Sequence, residues 1–232
     1  MKNFVWAIAL CLVCANLIHA DLISEFEPNP PGADPATSNV ELSGTPGAMF
    51  SGFLTFIDTD GGAALGTINS SDAVSGTYDA SGLAVITLGF DIENPSYTLV
   101  FSSFAPAADV DANDDQILDD PTVFGNVFDA VGIIDATGDS TDFATALGGV
   151  EFSTPDEFEI AFRDASTGQF FGYDAASGNI FDTTGGVFLP SDFNFSPAVT
   201  TPGGINPALV PEPSSLALLG LASLGLITRR RR

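Results

Sequence analysis

From Leu22 onward the apolar residues come in short runs, each closed within a few positions by Gly, Asn, Asp or Pro. Leu22-Phe26, Phe50-Asp58, Leu83-Leu88 and Ser96-Ser102 are rich in β-branched and aromatic side chains, which suit a pleated, half-buried surface. Phe158-Arg163 alternates most regularly, so Phe158, Ile160 and Phe162 are expected on one face and Glu159 and Arg163 on the other. Gly-Gly at 61-62, 148-149 and 185-186, with Ser-Gly at 81-82 and 177-178, mark turns. No long amphipathic helical pattern occurs outside the two termini. Twenty phenylalanines supply enough apolar side chain to resist disorder despite the charge. Short strands of this kind bury their apolar faces most economically in a two-sheet sandwich. The predicted class is all-β, with a β-sandwich body over residues 21-195, long enough for one domain with a real core.

Charge and residue usage then exclude much chemistry. All thirty acidic residues lie between Asp21 and Glu212, against the single basic residue Arg163, a net of 29 negative charges for that segment. Both cysteines, Cys11 and Cys14, and the only histidine and tryptophan, His19 and Trp6, fall in the first twenty residues. The body has no thiol, disulfide or imidazole, so Ser-His-Asp and Cys-His nucleophile systems and the usual histidine-ligated zinc are excluded. A polyanion with no lysine repels nucleic acid and cannot cradle phosphate. Arg163 is expected to pair with neighbouring carboxylates. Carboxylate-only hydrolysis needs just two spaced acids, and a secreted hydrolase of matrix polysaccharide is the alternative from another class. Asp182-Thr183-Thr184-Gly185 and Asp58-Thr59-Asp60-Gly61 read as acidic turns rather than aspartic-protease motifs. Only Tyr78, Tyr97 and Tyr173 remain as tyrosine platforms for sugar. The body is read as no enzyme.

Both ends carry export features. Met1-Ala20 has Lys2, an apolar core from Phe4 to Val13, and Ile-His-Ala before Asp21. That is the architecture of a secretory signal peptide (a signal helix over residues 1-20), to be cut after Ala20 by signal peptidase following Sec export. At the other end, Val210-Pro-Glu-Pro cannot continue a strand or helix. The uncharged run Ser214 to Thr228 follows, and a helix there spans roughly 22 Å, short of a roughly 30 Å hydrocarbon core. Arg229, Arg230, Arg231 and Arg232 can snorkel to head groups and hold that end in the cytoplasm. The expectation is a short, weakly anchored transmembrane helix. Residues 196-209, rich in Pro and poor in apolar side chains, read as a linker or stalk.

Residues 210-232 closely resemble the tripartite tail of PEP-CTERM sorting signals, also catalogued as an ice-binding-protein C-terminal domain, a name that implies no ice binding. Pro211, Glu212 and Pro213 match the family's Pro-Glu-Pro; the apolar helix and basic terminus follow in order. The resemblance implies recognition by an exosortase-type membrane protease. It further implies a transient inner-membrane anchor, tail removal, and delivery to the cell surface or extracellular polymer matrix.

The front of the body resembles a lamin-tail-like domain, an immunoglobulin-type sandwich. The residues that carry this are Ile23-Ser24-Glu25, the Pro/Gly-rich Pro28-Pro35, Glu41-Leu42 and Ser51-Gly52-Phe53, with Asp129-Ala130-Val131-Gly132 and Phe162-Arg163 later. The aromatic usually before Glu-Leu is replaced by Asn39-Val40, and Phe53 stands for a tryptophan. The resemblance implies a fold more than an activity.

One loop has the pattern of a metal site. Asp109, Asp111, Asn113, Asp115, Asp119 and Asp120 place oxygen side chains along a twelve-residue run, and calcium takes six to eight hard oxygen ligands. The run resembles the Asp-rich loops of thrombospondin type-3 and dockerin-like repeats, with Asp114 and Gln116 where a turn-forming glycine belongs. Ile117 and Leu118 are expected to plug the loop onto the core, and Ca2+ is the one cofactor expected. The reading as a whole is an exported, acidic, structural or adhesive protein of the surface or the exopolysaccharide matrix.

Overall fold

The structure is a computed structural model that describes residues 21-29, 36-60, 65-90, 92, 96-139, 142-199 and 201-210. The expected signal helix (1-20) and anchor helix (211-232) lie outside the described residues, as does the Gly61-Gly62 turn. Among the described residues no helix is long and apolar enough to cross a membrane.

Twelve strands carry the described fold. They are β1 (Leu22–Phe26), β2 (Asn39–Ser43), β3 (Met49–Asp58), β4 (Ile68–Thr77), β5 (Leu83–Thr87), β6 (Tyr97–Ser102), β7 (Val127–Ile133), β8 (Val150–Glu151), β9 (Ile160–Arg163), β10 (Phe170–Asp174), β11 (Asn179–Asp182) and β12 (Val187–Phe188). The described α-helix, α1, is a single turn, Phe143–Ala146. One sheet has seven strands in the order β12-β11-β10-β9-β1-β2-β5, and the other five, β4-β3-β6-β7-β8. The β7–β8 ladder is parallel; the others are antiparallel. The turns joining β10 to β11 and β11 to β12 place Gly178 and Gly185 at φ 72 and 84, a conformation that glycine adopts without strain.

The sheets face each other across one apolar layer. Ile23, Phe26, Val40 and Leu42 from the larger sheet meet Leu54, Phe56, Leu99 and Phe101 from the smaller. Phe26 and Tyr97 pack edge to face across it, with centroids 6.4 Å apart. Each sheet is also covered on its outer side. Val110, Leu118, Phe124, Phe143 and Leu147 pack with Val100 and Ala130 of the smaller sheet. Ile160, Phe162, Phe171 and Ile180 of the larger sheet pack with Phe193, Phe188 and Leu209. The phenylalanine content thus fills three apolar layers, not one.

This double cover corrects the expected alternation at β9. Ile160 and Phe162 do share a face, the outer one. Phe158 points the other way, into the shared core, where its ring lies 4.8 Å from that of Phe152. Glu159 N–H donates to the Tyr173 carbonyl at 2.9 Å, and Tyr173 is already the partner of Ile160. Two residues therefore stand opposite one, and such an offset switches the face of everything before it.

The Pro-rich segment expected as a linker or stalk packs against the body. Asn206 and Pro207 are buried, and Phe193 bridges Leu209 in antiparallel fashion. Asn194 N–H donates to the Ala208 carbonyl at 2.9 Å, and Val210 N–H to that of Asp192 at 2.7 Å. Residues 195-207 thus leave the sheet and return to it, and their tip lies on β1 and β2.

Candidate functional site

The tip of that excursion covers two acids. β1 and β2 pair with Glu25 directly opposite Glu41, and both are only 2% exposed. Like charges in direct cross-strand register repel, so the pair needs compensation. Glu25 accepts from Thr201 N–H at 2.7 Å and from the Thr201 hydroxyl. Glu41 Oε2 accepts from Gly203 N–H at 2.7 Å, while its Oε1 has no hydrogen-bond partner. Asn206 Nδ2 ties the same loop to the Ser24 carbonyl and hydroxyl at 2.9 and 3.0 Å. Burial pushes the Glu41 carboxyl up to about 7, against the pull of the Gly203 amide and the Ser24 hydroxyl. Glu25 is also raised, by burial, against the Thr201 bonds.

Farther along, the strap is held by Asp164, which accepts from Leu209 N–H. The same carboxylate takes Ser166 N–H at 2.8 Å, Thr167 N–H at 2.6 Å and both hydroxyls. Burial pushes it upward, yet these bonds together hold it below the ordinary range. Asp182 likewise accepts from the amides of its own turn, Thr184 N–H at 2.9 Å and Gly186 N–H at 2.7 Å. Asp58 accepts from Asp60 N–H at 2.9 Å. The run from Asp182 to Gly185 is thus the acidic turn expected, while the run from Asp58 reaches Gly61 outside the described residues.

Arg163 finds its carboxylate in the opposite sheet. Its Nη2 donates to Asp129 of β7 at 2.6 Å, its Nε to the Ile23 carbonyl at 2.8 Å, and its Nη1 to that of Gly168 at 2.9 Å. The guanidinium carbon lies 4.2 Å from the Phe170 ring centroid. A cleft of about 510 Å³ runs past Arg163, Gly168 and Asn206, and Asp164 is its one acidic lining residue.

The Asp-rich loop is ordered around its own backbone. Asp111 is fully buried and accepts from Asp115 N–H at 3.1 Å and Gln116 N–H at 2.8 Å. Asp109 takes Asp111 N–H at 2.9 Å, Asn113 takes Asp115 N–H at 3.0 Å, and Asp115 takes Ile117 N–H at 3.0 Å. Asp119 reaches Ala112 N–H at 3.0 Å, and Asp120 caps the 3-10 turn Pro121–Phe124 through Thr122. Among the described residues no three His, Cys, Asp or Glu side chains group as a metal site. Asp114 and Gln116, standing where a glycine was expected, take φ of 54 and 67. Leu118 plugs the loop onto the core, whereas Ile117 is exposed.

The expected recognition residues Pro211, Glu212 and Pro213, and Arg229, Arg230, Arg231 and Arg232, lie outside the described residues. What the structure adds is the seat of the tail: Leu209 is packed and bonded on the larger sheet, and Val210 is bonded to Asp192. The fold defines a β-rich body with a docked C-terminal strap. Residues 209–232 match the PEP-CTERM protein-sorting motif. The chain therefore carries this sorting signal, which implies an exported protein processed by an exosortase, transiently anchored and then released to the cell surface. No curated protein and no solved structure matches the chain significantly.

Proposed function

We propose that the protein is a structural or adhesive component of the cell surface or its exopolysaccharide matrix, built on a lamin-tail-like β-sandwich. The observation that carries this reading is the sorting motif at the end of a body whose acids serve its own architecture. Asp58, Asp111, Asp164 and Asp182 accept from backbone amides of nearby turns, and the Glu25–Glu41 pair is covered rather than open. That use of carboxylates supports a non-enzymatic role. Apart from Pro28-Pro35, most of which lies outside the described residues, the quoted lamin-tail-like residues fall on β1, β2, β3, β7 and β9, which supports the finer fold assignment.

Intact-mass measurement of the surface-associated form tests the sorting half: the arginines at 229-232 should be missing. A form that keeps them would replace transient anchoring by a permanent anchor. Co-sedimentation of the processed protein with polysaccharide from the producing cells tests the matrix half. A protein that stays entirely in the supernatant would remove the adhesive role.

A further inference from the structure

Buried cross-strand acids with a loop seated on them form an arrangement that can respond to protons. The Glu25–Glu41 pair contributes four carboxylate oxygens. Three accept hydrogen bonds from Thr201 and Gly203, and Glu41 Oε1 is buried without a hydrogen bond of ordinary geometry, the Ser24 hydroxyl being the one further side-chain donor that favours this carboxylate. An ionised oxygen in that position has neither solvent nor an ordinary hydrogen bond, which is costly. A protonated one has no such charge to solvate. The other charges facing the pair are negative: Glu27 at the end of β1 acts on Glu25, and Asp79 beyond β4 acts on Glu41. The loop residues 201-206 and strand β5 bring no titratable group. Arg163 of neighbouring β9 is committed to Ile23, Gly168 and Asp129.

We propose that residues 201-206 are a proton-operated clasp: they sit on β1 and β2 while the Glu25–Glu41 pair retains a proton, and lift off when that proton leaves. The inference does not depend on how the tail is processed. Burial places the loss of that proton at about pH 7. Lift-off is local, because the following residues are held by a different acid. Asp164 binds Leu209 N–H and is held below the ordinary carboxylate range by its turn, so 207-210 stay seated while 201-206 open. The open state exposes two carboxylates that the loop now covers.

Hydrogen exchange on the full-length protein, comparing wild type with Glu41→Gln at one pH at a time, tests this without correction for intrinsic rates. The variant keeps an acceptor for Gly203 N–H and carries no charge. The Thr201 and Gly203 amides should exchange alike in both proteins near pH 6. Above pH 7 wild type should pull ahead by up to roughly tenfold per pH unit. Leu209 and Val210 amides should stay equally protected throughout. Equal exchange of Thr201 and Gly203 at every pH would overturn the clasp, and so would a loss of protection at 209 and 210 together with the strands. Should Glu41→Gln fail to fold, Glu25→Gln decides. Removing the neighbouring charge should make exchange at 203 rise less steeply with pH than in wild type, and an equal slope would overturn the proposal.

Discussion

The Asp129 carboxylate, on β7 of the smaller sheet, holds the Arg163 guanidinium, on β9 of the larger, at 2.6 Å. Its same oxygen accepts Ile23 N–H of β1 at 2.8 Å. One acid thus joins both sheets through the single basic side chain between Asp21 and Glu212. Burial raises the Asp129 carboxyl while Arg163 opposes that rise, so the acid depends on its partner.

Replacing Arg163 by Met leaves that carboxylate buried and unpaired. The expected loss is about 3-5 kcal/mol in urea unfolding. Adding Asp129→Asn to Arg163→Met should recover part of it, since the stranded charge is gone. A single variant as stable as wild type would show that the pair does no structural work.

The pH dependence of stability follows from Glu25 and Glu41. Both are raised in the folded state relative to their ordinary value. Their contribution is therefore fully present below the ordinary carboxylate range and is lost as pH rises through about 7 for Glu41. The melting temperature should fall from mildly acidic to mildly alkaline pH, and Glu41→Gln should flatten the slope. A wild-type melting temperature that climbs over this window would contradict the sign.

Asp111 is the keystone of the Asp-rich loop, through its bonds to the Asp115 and Gln116 amides. Asp111→Ala should cost about 2 kcal/mol, the scale of charge-assisted bonds lost from a buried position. Since the carboxylates already serve amides, calcium chloride and sodium chloride at equal ionic strength should shift the wild-type melting temperature alike. A larger calcium shift that disappears in Asp109→Ala with Asp111→Ala would instead show the loop rearranging around the ion.

Chain length offers another test. A body ending at residue 195 lacks Thr201, Gly203 and Asn206 over β1 and β2, and Leu209 over β9 and β10. It should melt about 5 °C or more below a body ending at 210, because one or two kcal/mol moves a domain of this size by several degrees. Coincident melting curves would mean that the strap adds nothing.

Local sequence reveals what local forces decide. Alternating aromatic and β-branched residues mark β1, β3, β5 and β6, and Asp or Gly marks their turns. β4 escapes that logic: of Ile68–Thr77 only Val74 is buried, because the strand is a sheet edge paired to β3 alone. β10 is short and buried on both faces, so it shows no alternation to read. The strap escapes for another reason. Its Pro and Gly residues spell a linker locally, yet its bonds run to Ser24, Glu25 and Glu41, more than 160 positions earlier. In the Asp-rich loop, spacing showed the acids and the strained positions, but not that the acids would turn to their own amides.

Leu209 belongs at once to the larger sheet's outer cluster and to the first position of the sorting motif. The spacing between sandwich and signal is therefore a matter of register, not of free length. One residue inserted next to Phe193 or Leu209 would move the leucine off its Phe193 partner. Insertions and deletions on the approach to the signal would be filtered by folding before any protease met the chain.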